Sequence, residues 1–365
     1  MILRCDAPFR SLSSIVHVSR SLPRAKRWVA LLYTCPAIQR CVLACGVLFT
    51  IQQNIIAQKS QYKIVYNVLE DREKDNYEIY SMNMDGSDKK NLTNTPGVEW
   101  VYYAYEDKVY FISDKDTCHR CYFLYEMDAE GNNKRKISDL QLEDSWMSSR
   151  NKGTEMIVSG RVGKLRAQLF VVNLKNGSFK QITNDTISTK RDPIFLSGGK
   201  EIVMAYRPDK NLRRIVPAEL WKFSLMENQD GSLRLDENKI QLTYFPKTDT
   251  TTQWFEYHAG PPQWNSKYNF ISYMSKQKGQ TQIYAIHPDL KKQWQSPLVE
   301  QITKGELSSG WHSWSSDGQW LVMDQSTHEG KNYDIYLMEY KTKKITRLTD
   351  DVKTEQAPVL VKIKR

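Results

Sequence analysis

Residues 77–93 read YEIYSMNMDGSDKKNLT, and two short parts of this stretch recur along the rest of the chain. The first is an aliphatic–aromatic pair inside a run that alternates with period two, here Ile79-Tyr80. The second is an aliphatic–hydroxyl pair, here Leu92-Thr93. Between them lies Asp85-Gly86, a dipeptide favoured in tight hairpin turns. The stretch therefore predicts two antiparallel strands joined by a short turn.

Each pair occurs six times. The aliphatic–aromatic pairs are Ile79-Tyr80, Leu124-Tyr125, Leu169-Phe170, Leu220-Trp221, Ile283-Tyr284 and Ile335-Tyr336. The aliphatic–hydroxyl pairs are Leu92-Thr93, Ile137-Ser138, Ile182-Thr183, Leu242-Thr243, Ile302-Thr303 and Leu348-Thr349. Four of the six repeats have the same offset of 13 residues from the aromatic to the hydroxyl residue, which chance rarely produces.

A β-rich run precedes each aromatic pair, and in all but the first repeat a further segment precedes that run, as in Gly310–Gly318 followed by Trp320–Met323 in the last repeat. Four short strands in a repeat of about 45 residues are the signature of a propeller blade. We therefore expect an all-β fold: a six-bladed β-propeller over residues 58–365 with four antiparallel strands per blade. The first repeat lacks its innermost segment, and residues 355–363 have that character. The C-terminal strand is therefore predicted to join blade 1 and close the ring, which removes exposed sheet edges.

The last repeat carries a more specific resemblance. Trp314-Ser-Ser-Asp-Gly318, Asp334-Ile-Tyr-Leu-Met338 and Arg347-Leu-Thr-Asp350 resemble the WD-like repeat of TolB-type propellers, and the resemblance extends over residues 61–365. TolB-type proteins place a periplasmic six-bladed propeller behind a small α/β domain and bind other envelope proteins. This sequence has no room for that α/β domain. The resemblance implies a propeller that acts by binding a partner.

Positive charge is concentrated at the N-terminus. The chain has 52 Lys and Arg against 42 Asp and Glu, and residues 1–57 contain seven of these bases and one acid. The remainder has 45 bases and 41 acids, a balance that gives no reason to expect nucleic-acid binding. The uncharged run at 41–51 is shorter than the roughly 20 residues of a membrane span. Residues 1–57 are therefore predicted to be a signal or targeting leader ending before Gln58, and the protein to be exported to the periplasm or cell surface. The alternative is a retained leader that anchors the protein to the membrane.

The sequence contains no G-x-S-x-G, H-E-x-x-H or phosphate-binding glycine motif. It therefore favours a monomeric, non-catalytic protein without cofactor or bound metal, whose partner is an envelope protein or a glycan. The alternative is a metal-dependent enzyme at the channel mouth, since oligogalacturonate lyases, which cleave polysaccharide, are similar propellers with a histidine-bound metal. His258, His312 and His328 are the histidines that could converge for such a metal.

Loop positions indicate where a partner would bind. If the strands of a blade run a, b, c, d from the axis outward, all b–c and d–a connections emerge on one face. Functional residues concentrate on loops held by a rigid scaffold. The predicted binding residues on this face are Arg213, Arg214, Trp254, Tyr257, His258, Trp311, His312 and His328.

Only Cys118 and Cys121 lie after residue 57. A redox-active C-x-x-C motif usually begins a helix, whereas this one falls between predicted strands. Zinc would require two further ligands, and none is evident nearby. In an exported protein, we expect a disulfide between Cys118 and Cys121 that pins the b–c loop of blade 2.

Overall fold

The computed structural model describes residues 61–213, 215–244, 259–289, 299–327 and 332–363. Their regular structure is six separate antiparallel sheets. The helical element within these ranges is one short 3-10 turn, Lys210–Leu212. The sequence prediction of a six-bladed propeller is therefore confirmed, and each sheet is one blade.

The strands of the first three blades are given from the inner strand outward. Blade 1 consists of Thr354–Lys362, Tyr62–Asp71, Asn76–Asn83 and Lys90–Asn91. Blade 2 consists of Glu99–Tyr105, Lys108–Ser113, Phe123–Asp128 and Arg135–Lys136. Blade 3 has two short inner strands, Gln141–Leu142 and Ser148–Arg150, followed by Glu155–Val162, Leu165–Asn173 and Phe179–Gln181.

The last three blades follow the same order. Blade 4 has two short outer strands and consists of Thr189–Phe195, Glu201–Arg207, Glu219–Glu227, Leu233–Leu235 and Ile240–Gln241. Blade 5 consists of Pro262–Asn265, Phe270–Gln277, Gln280–Ile286 and Val299–Gln301. Blade 6 consists of Ser308–Trp314, Trp320–Ser326, Asp334–Glu339 and Lys344–Arg347. The four-stranded pattern therefore holds in four blades, and blades 3 and 4 each have five strands because one position is occupied by two short strands.

The repeated hydroxyl residue has a specific structural role. In blade 1 the Thr93 hydroxyl oxygen accepts a 2.9 Å hydrogen bond from the N–H of Ile79, the aliphatic member of the aromatic pair. The same bond joins Thr303 to Ile283 and Thr349 to Ile335, each at 2.9 Å. The hydroxyl fixes the outer strand on its neighbour, and this contact explains the regular spacing in the sequence.

The ring closes as the sequence predicts. Ile64 pairs with Leu360 and Val65 with Val359, so the C-terminal strand is the inner strand of blade 1. A hydrophobic cluster shared by blades 1 and 6, which includes Tyr66 and Trp320, packs the two ends of the ring against each other. Closure therefore rests on both strand pairing and buried apolar surface.

Candidate functional site

A cavity of about 490 Å³ opens on the face where the b–c and d–a connections emerge. Three of its lining residues, Trp100, Trp146 and Trp311, lie on or beside inner strands of blades 2, 3 and 6. We call this opening of the channel the aromatic mouth. Its position on the predicted face makes it the candidate binding site.

The indole rings meet across the channel. Trp311 of blade 6 lies 5.5 Å from Trp100 of blade 2 between ring centroids, with an interplanar angle of 87°. Its ring lies 5.6 Å from Trp146 of blade 3, and Trp146 lies 4.7 Å from Tyr102. The Trp311–Trp100 and Trp146–Tyr102 contacts are edge-to-face, a geometry that stabilises aromatic clusters beyond the area they bury. Trp100 and Trp311 remain partly exposed and form apolar surface for a ligand.

The b–c loop of blade 2 places a cation at this mouth. The structure joins Cys118 and Cys121 in a disulfide with their Cα atoms 5.2 Å apart. Arg120, between them, donates its backbone N–H to Asp114 Oδ2 at 2.8 Å. Its guanidinium donates to both carboxylate oxygens of Asp75, at 2.7 and 2.9 Å. These contacts hold the Arg120 side chain in one orientation at the edge of the cavity.

Most acidic groups at the mouth are engaged with partners. Glu143 lies 3.0 Å from Arg166, and Asp144 accepts a hydrogen bond from the Tyr102 hydroxyl. Asp192 Oδ1 accepts a 3.0 Å bond from the N–H of Trp146, and burial raises the pKa of its carboxyl. The acidic groups therefore contribute to the structure of the mouth, and the negative charge of Glu143 is offset by an arginine.

The structure distributes the predicted binding residues unevenly. Trp311 lines the cavity, and Arg213 is exposed in the b–c loop of blade 4 on the same face. Arg214, Trp254, Tyr257, His258 and His328 lie outside the described residues. The structure therefore locates two of the predicted residues on this face, and their role in binding stays a prediction.

His312 lies elsewhere. Its side chain is inside the protein, 1% exposed, and Nε2 is hydrogen-bonded to the Ser272 hydroxyl of blade 5 at 2.8 Å. Burial lowers the pKa of His312 to about 4, so the ring is neutral at physiological pH. Trp311 lies within an irregularity of the strand between Ser309 and His312, whereas His312 pairs with Met323 and bonds to Ser272 of the neighbouring blade. The expectation that His312 lies on the exposed face is wrong for this reason.

Sequence reasoning missed Trp100 and Trp146. Both were attributed to no site, although the spacing contains a signal. Trp100 follows the repeat hydroxyl Thr93 by seven residues, and Trp146 follows Ser138 by eight. Trp311 likewise follows Thr303 by eight residues. A tryptophan therefore follows the repeat hydroxyl at nearly the same distance in three places, within an inner strand at Trp100 and Trp311 and just before one at Trp146.

Within the ranges that the structure describes, no group of three or more His, Cys, Asp or Glu residues is placed to hold a metal ion. Of the three histidines considered for a metal, His312 is bonded to Ser272, and the other two fall outside those ranges. The described residues also contain no helix long and apolar enough to cross a membrane.

The opposite end of the channel has a different character. A cavity of about 520 Å³ opens there, among the a–b turns, and its lining includes Trp264, Trp314 and several serines. Its charged residues pair locally, as in Lys362 with Glu106 at 3.3 Å. Tyr102 lines both cavities and marks where the two ends of the channel approach each other.

Several solved structures have a fold similar to that of this chain. TolB from Acinetobacter baumannii aligns with a TM-score of 0.58 at 14% identity, over 81% of this chain and 66% of that one. A TolB protein from Agrobacterium tumefaciens aligns at 0.50 and 12% identity, over 84% of this chain and 99% of that one. A nidogen/laminin complex aligns at 0.53 and 8% identity, over 82% and 98% of the two chains. No family model and no curated protein matches the sequence. The chain therefore has a TolB-like propeller fold, and it spans slightly less than two thirds of the Acinetobacter protein.

Proposed function

We propose that this protein is an exported, non-catalytic propeller that binds a protein or glycan partner in the cell envelope. The aromatic mouth is the proposed binding surface. The observation that carries the proposal is the contact of Trp311 with Trp100 and Trp146 across the channel. It displays partly exposed indole rings on a scaffold that strand pairing makes rigid.

The composition of the mouth suits recognition. Tryptophan, tyrosine and arginine are the residues most enriched among those that dominate binding energy at interfaces. The Arg120 guanidinium is fixed by Asp75, and the aromatic rings are fixed by packing against each other. Groups held in place before binding lose little conformational entropy when a partner docks.

A non-catalytic role fits the chemistry of this mouth. Asp144 and Asp192, two of its lining carboxyls, are hydrogen-bonded to neighbouring groups of the protein. The alternative of a metal-dependent lyase gains no support from the described part of the chain.

Export is the second part of the proposal. The basic leader and the disulfide between Cys118 and Cys121 support it, because structural disulfides persist mainly in oxidising compartments. N-terminal sequencing of protein purified from the native host should find a mature chain that begins near Gln58. A chain that retains residues 1–57 would contradict cleavage and favour anchoring.

Capture of envelope components tests the binding role. We expect Trp311→Leu to reduce partner capture by at least about tenfold, since it removes an anchor that contacts two other tryptophans. Trp264→Leu is the matched control, because Trp264 is also half-buried but lines the opposite mouth. Equal capture by both variants and the wild type would contradict the proposed surface.

A further inference from the structure

Blade 4 places Arg207 close to two further arginines, Arg191 and Arg213, on the side of the ring that carries the aromatic mouth. Arg191 is on the inner strand and lines the cavity, and Arg207 ends the next strand. Arg191 pairs with Ala205 and Thr189 pairs with Arg207, so the two arginines are diagonal neighbours on one side of the sheet. Diagonal neighbours of this kind lie within reach of long side chains.

Arg213 belongs to the same group. It follows the 3-10 turn in the loop that leaves Arg207, and its N–H donates to the Lys210 carbonyl at 3.3 Å. The Lys210 N–H in turn donates to the Ile187 carbonyl at 2.8 Å, which fastens the loop to the segment preceding the inner strand. This contact folds the loop over the start of the inner strand that carries Arg191.

These three arginines differ from the other cations at the mouth. Arg120, Arg166 and Lys190 each have a carboxylate within 3 Å. In contrast, no acidic group forms an ion pair with Arg191, Arg207 or Arg213 anywhere in the residues that the structure describes. The carboxyl nearest in sequence, Asp192, accepts hydrogen bonds from the Trp146 N–H and the Ser145 hydroxyl. The charge of Arg191 acts on it without an ion-pair contact and opposes the rise in its pKa caused by burial.

The burial of the Arg207 side chain gives this group of arginines a cost in folding free energy. Its side chain is 5% exposed, and its Nε donates to the Val216 carbonyl at 2.7 Å. Burial, together with the positive charges of Arg191 and Arg213, lowers its pKa. A buried cation without a counterion costs free energy unless something compensates its charge. Within the described residues no carboxylate forms an ion pair with Arg207, so an anion bound beside it would offset this cost.

We propose that Arg191, Arg207 and Arg213 bind an oxyanion, a carboxylate or phosphate group of the partner, while a ring or apolar face of the partner lies against Trp100 and Trp311. Guanidinium groups are suited to both oxyanions because they donate two parallel hydrogen bonds. The inference rests on the proposed function and specifies the chemistry of the ligand. It also adds Arg191 and Arg207 to the candidate binding site, two residues that the sequence analysis did not identify.

Calorimetric titration with small probes tests the inference on the full-length protein. The probes are phenyl phosphate, benzoate, inorganic phosphate and benzyl alcohol, so that ring and anion are varied separately. We expect phenyl phosphate or benzoate to bind more tightly than inorganic phosphate, and benzyl alcohol to bind weakest. Which of the two ring-bearing anions is preferred identifies the oxyanion. Failure of the wild type to bind any of these anions would overturn the inference.

The double variant Arg191→Gln/Arg213→Gln keeps the buried Arg207 and changes two exposed side chains. We expect it to bind the preferred anion at least about tenfold more weakly, or 1.4 kcal/mol. Lys200→Gln is the control, since Lys200 is an exposed cation in the a–b turn of the same blade, at its other end. The same loss in both variants, or in neither, would overturn the inference.

Stability gives an independent readout. Removing two repelling charges should leave the melting temperature of the double variant, without anion, at or above that of the wild type. A lower melting temperature would show that the arginines support the fold instead, and would overturn the inference. If Trp311→Leu abolishes partner capture while the double variant captures normally, the anion site fails and the proposed function stands. If anions bind but no variant alters capture, the proposed function fails instead.

Discussion

Asp324 Oδ2 in blade 6 accepts a 2.9 Å hydrogen bond from the backbone N–H of Ala357 in the C-terminal strand. The second strand of blade 6 thereby holds the inner strand of blade 1, at the junction that closes the ring. Asn67 makes the corresponding contact one blade further on, where its Oδ1 accepts a 2.7 Å bond from the N–H of Val101. The two junctions differ in that Asp324 can ionise and Asn67 cannot.

This difference predicts a pH-dependent stability. Burial raises the pKa of Asp324 to about 8 from its ordinary value of 3.8. Between about pH 4 and 8 the folded state therefore binds more protons than the unfolded state, and stability falls as pH rises through that window. Asp324→Asn, which copies Asn67, removes this contribution. In urea unfolding, the free energy of unfolding of the variant relative to that of the wild type should increase from pH 5 to pH 8. A difference in unfolding free energy that stays constant with pH would contradict the raised pKa of Asp324.

Removal of the closing strand should destabilise the whole ring. Deletion of residues 355–365 removes nearly all of the strand Thr354–Lys362 and exposes the edge of Tyr62–Asp71. We expect a large fall in the melting temperature, because the deletion also opens the cluster shared by blades 1 and 6. Deletion of residues 363–365 alone is the control and should have little effect. A 355–365 deletion that melts at the wild-type temperature would rule out the closure.

The repeated hydroxyl should matter wherever it is buried. Thr303 is 0% exposed and accepts from the Ile283 N–H. Thr303→Val should lower the free energy of unfolding by about 1–3 kcal/mol, since it leaves a buried N–H without its acceptor. Thr342→Val, at an exposed hydroxyl, should change it by less than about 0.5 kcal/mol. Equal effects in denaturant unfolding would show that the hydroxyl contact is unimportant.

Alkylation of the cysteines tests the disulfide directly. In protein purified without reductant, Cys118 and Cys121 should resist alkylation, and mass spectrometry after reduction should show both becoming reactive. The pair encloses Arg120, so Cys118→Ser should also release that side chain from Asp75. Two alkylated cysteines in the unreduced protein would exclude the disulfide in the mature form.

The fold was accessible from the sequence because its determinants are local and periodic. A hydroxyl such as Thr93 must recur at a fixed distance from Ile79 for its hydrogen bond to form, so the contact leaves a spacing in the sequence. Blade closure was predictable for a related reason, since the missing inner segment of blade 1 and the extra one at the C-terminus are both visible.

The candidate site was harder to predict from the sequence because its residues come from different blades. The contact of Trp311 with Trp100 joins residues more than two hundred positions apart, and no local pattern encodes such a distance. His312 was misplaced for the same reason, since its partner Ser272 lies in another blade. The group of Arg191 and Arg207 depends on strand register, which a repeat pattern fixes only after the blades are aligned.

Hydrogen–deuterium exchange with the captured partner tests most directly which end of the channel is occupied. The account predicts slower amide exchange on binding at 98–102, 144–147 and 308–312, which contain Trp100, Trp146 and Trp311. Exchange at the opposite mouth, in the a–b turns at 196–200 and 315–319, should be unchanged. Protection confined to those turns, with none around the three tryptophans, would contradict the central claim.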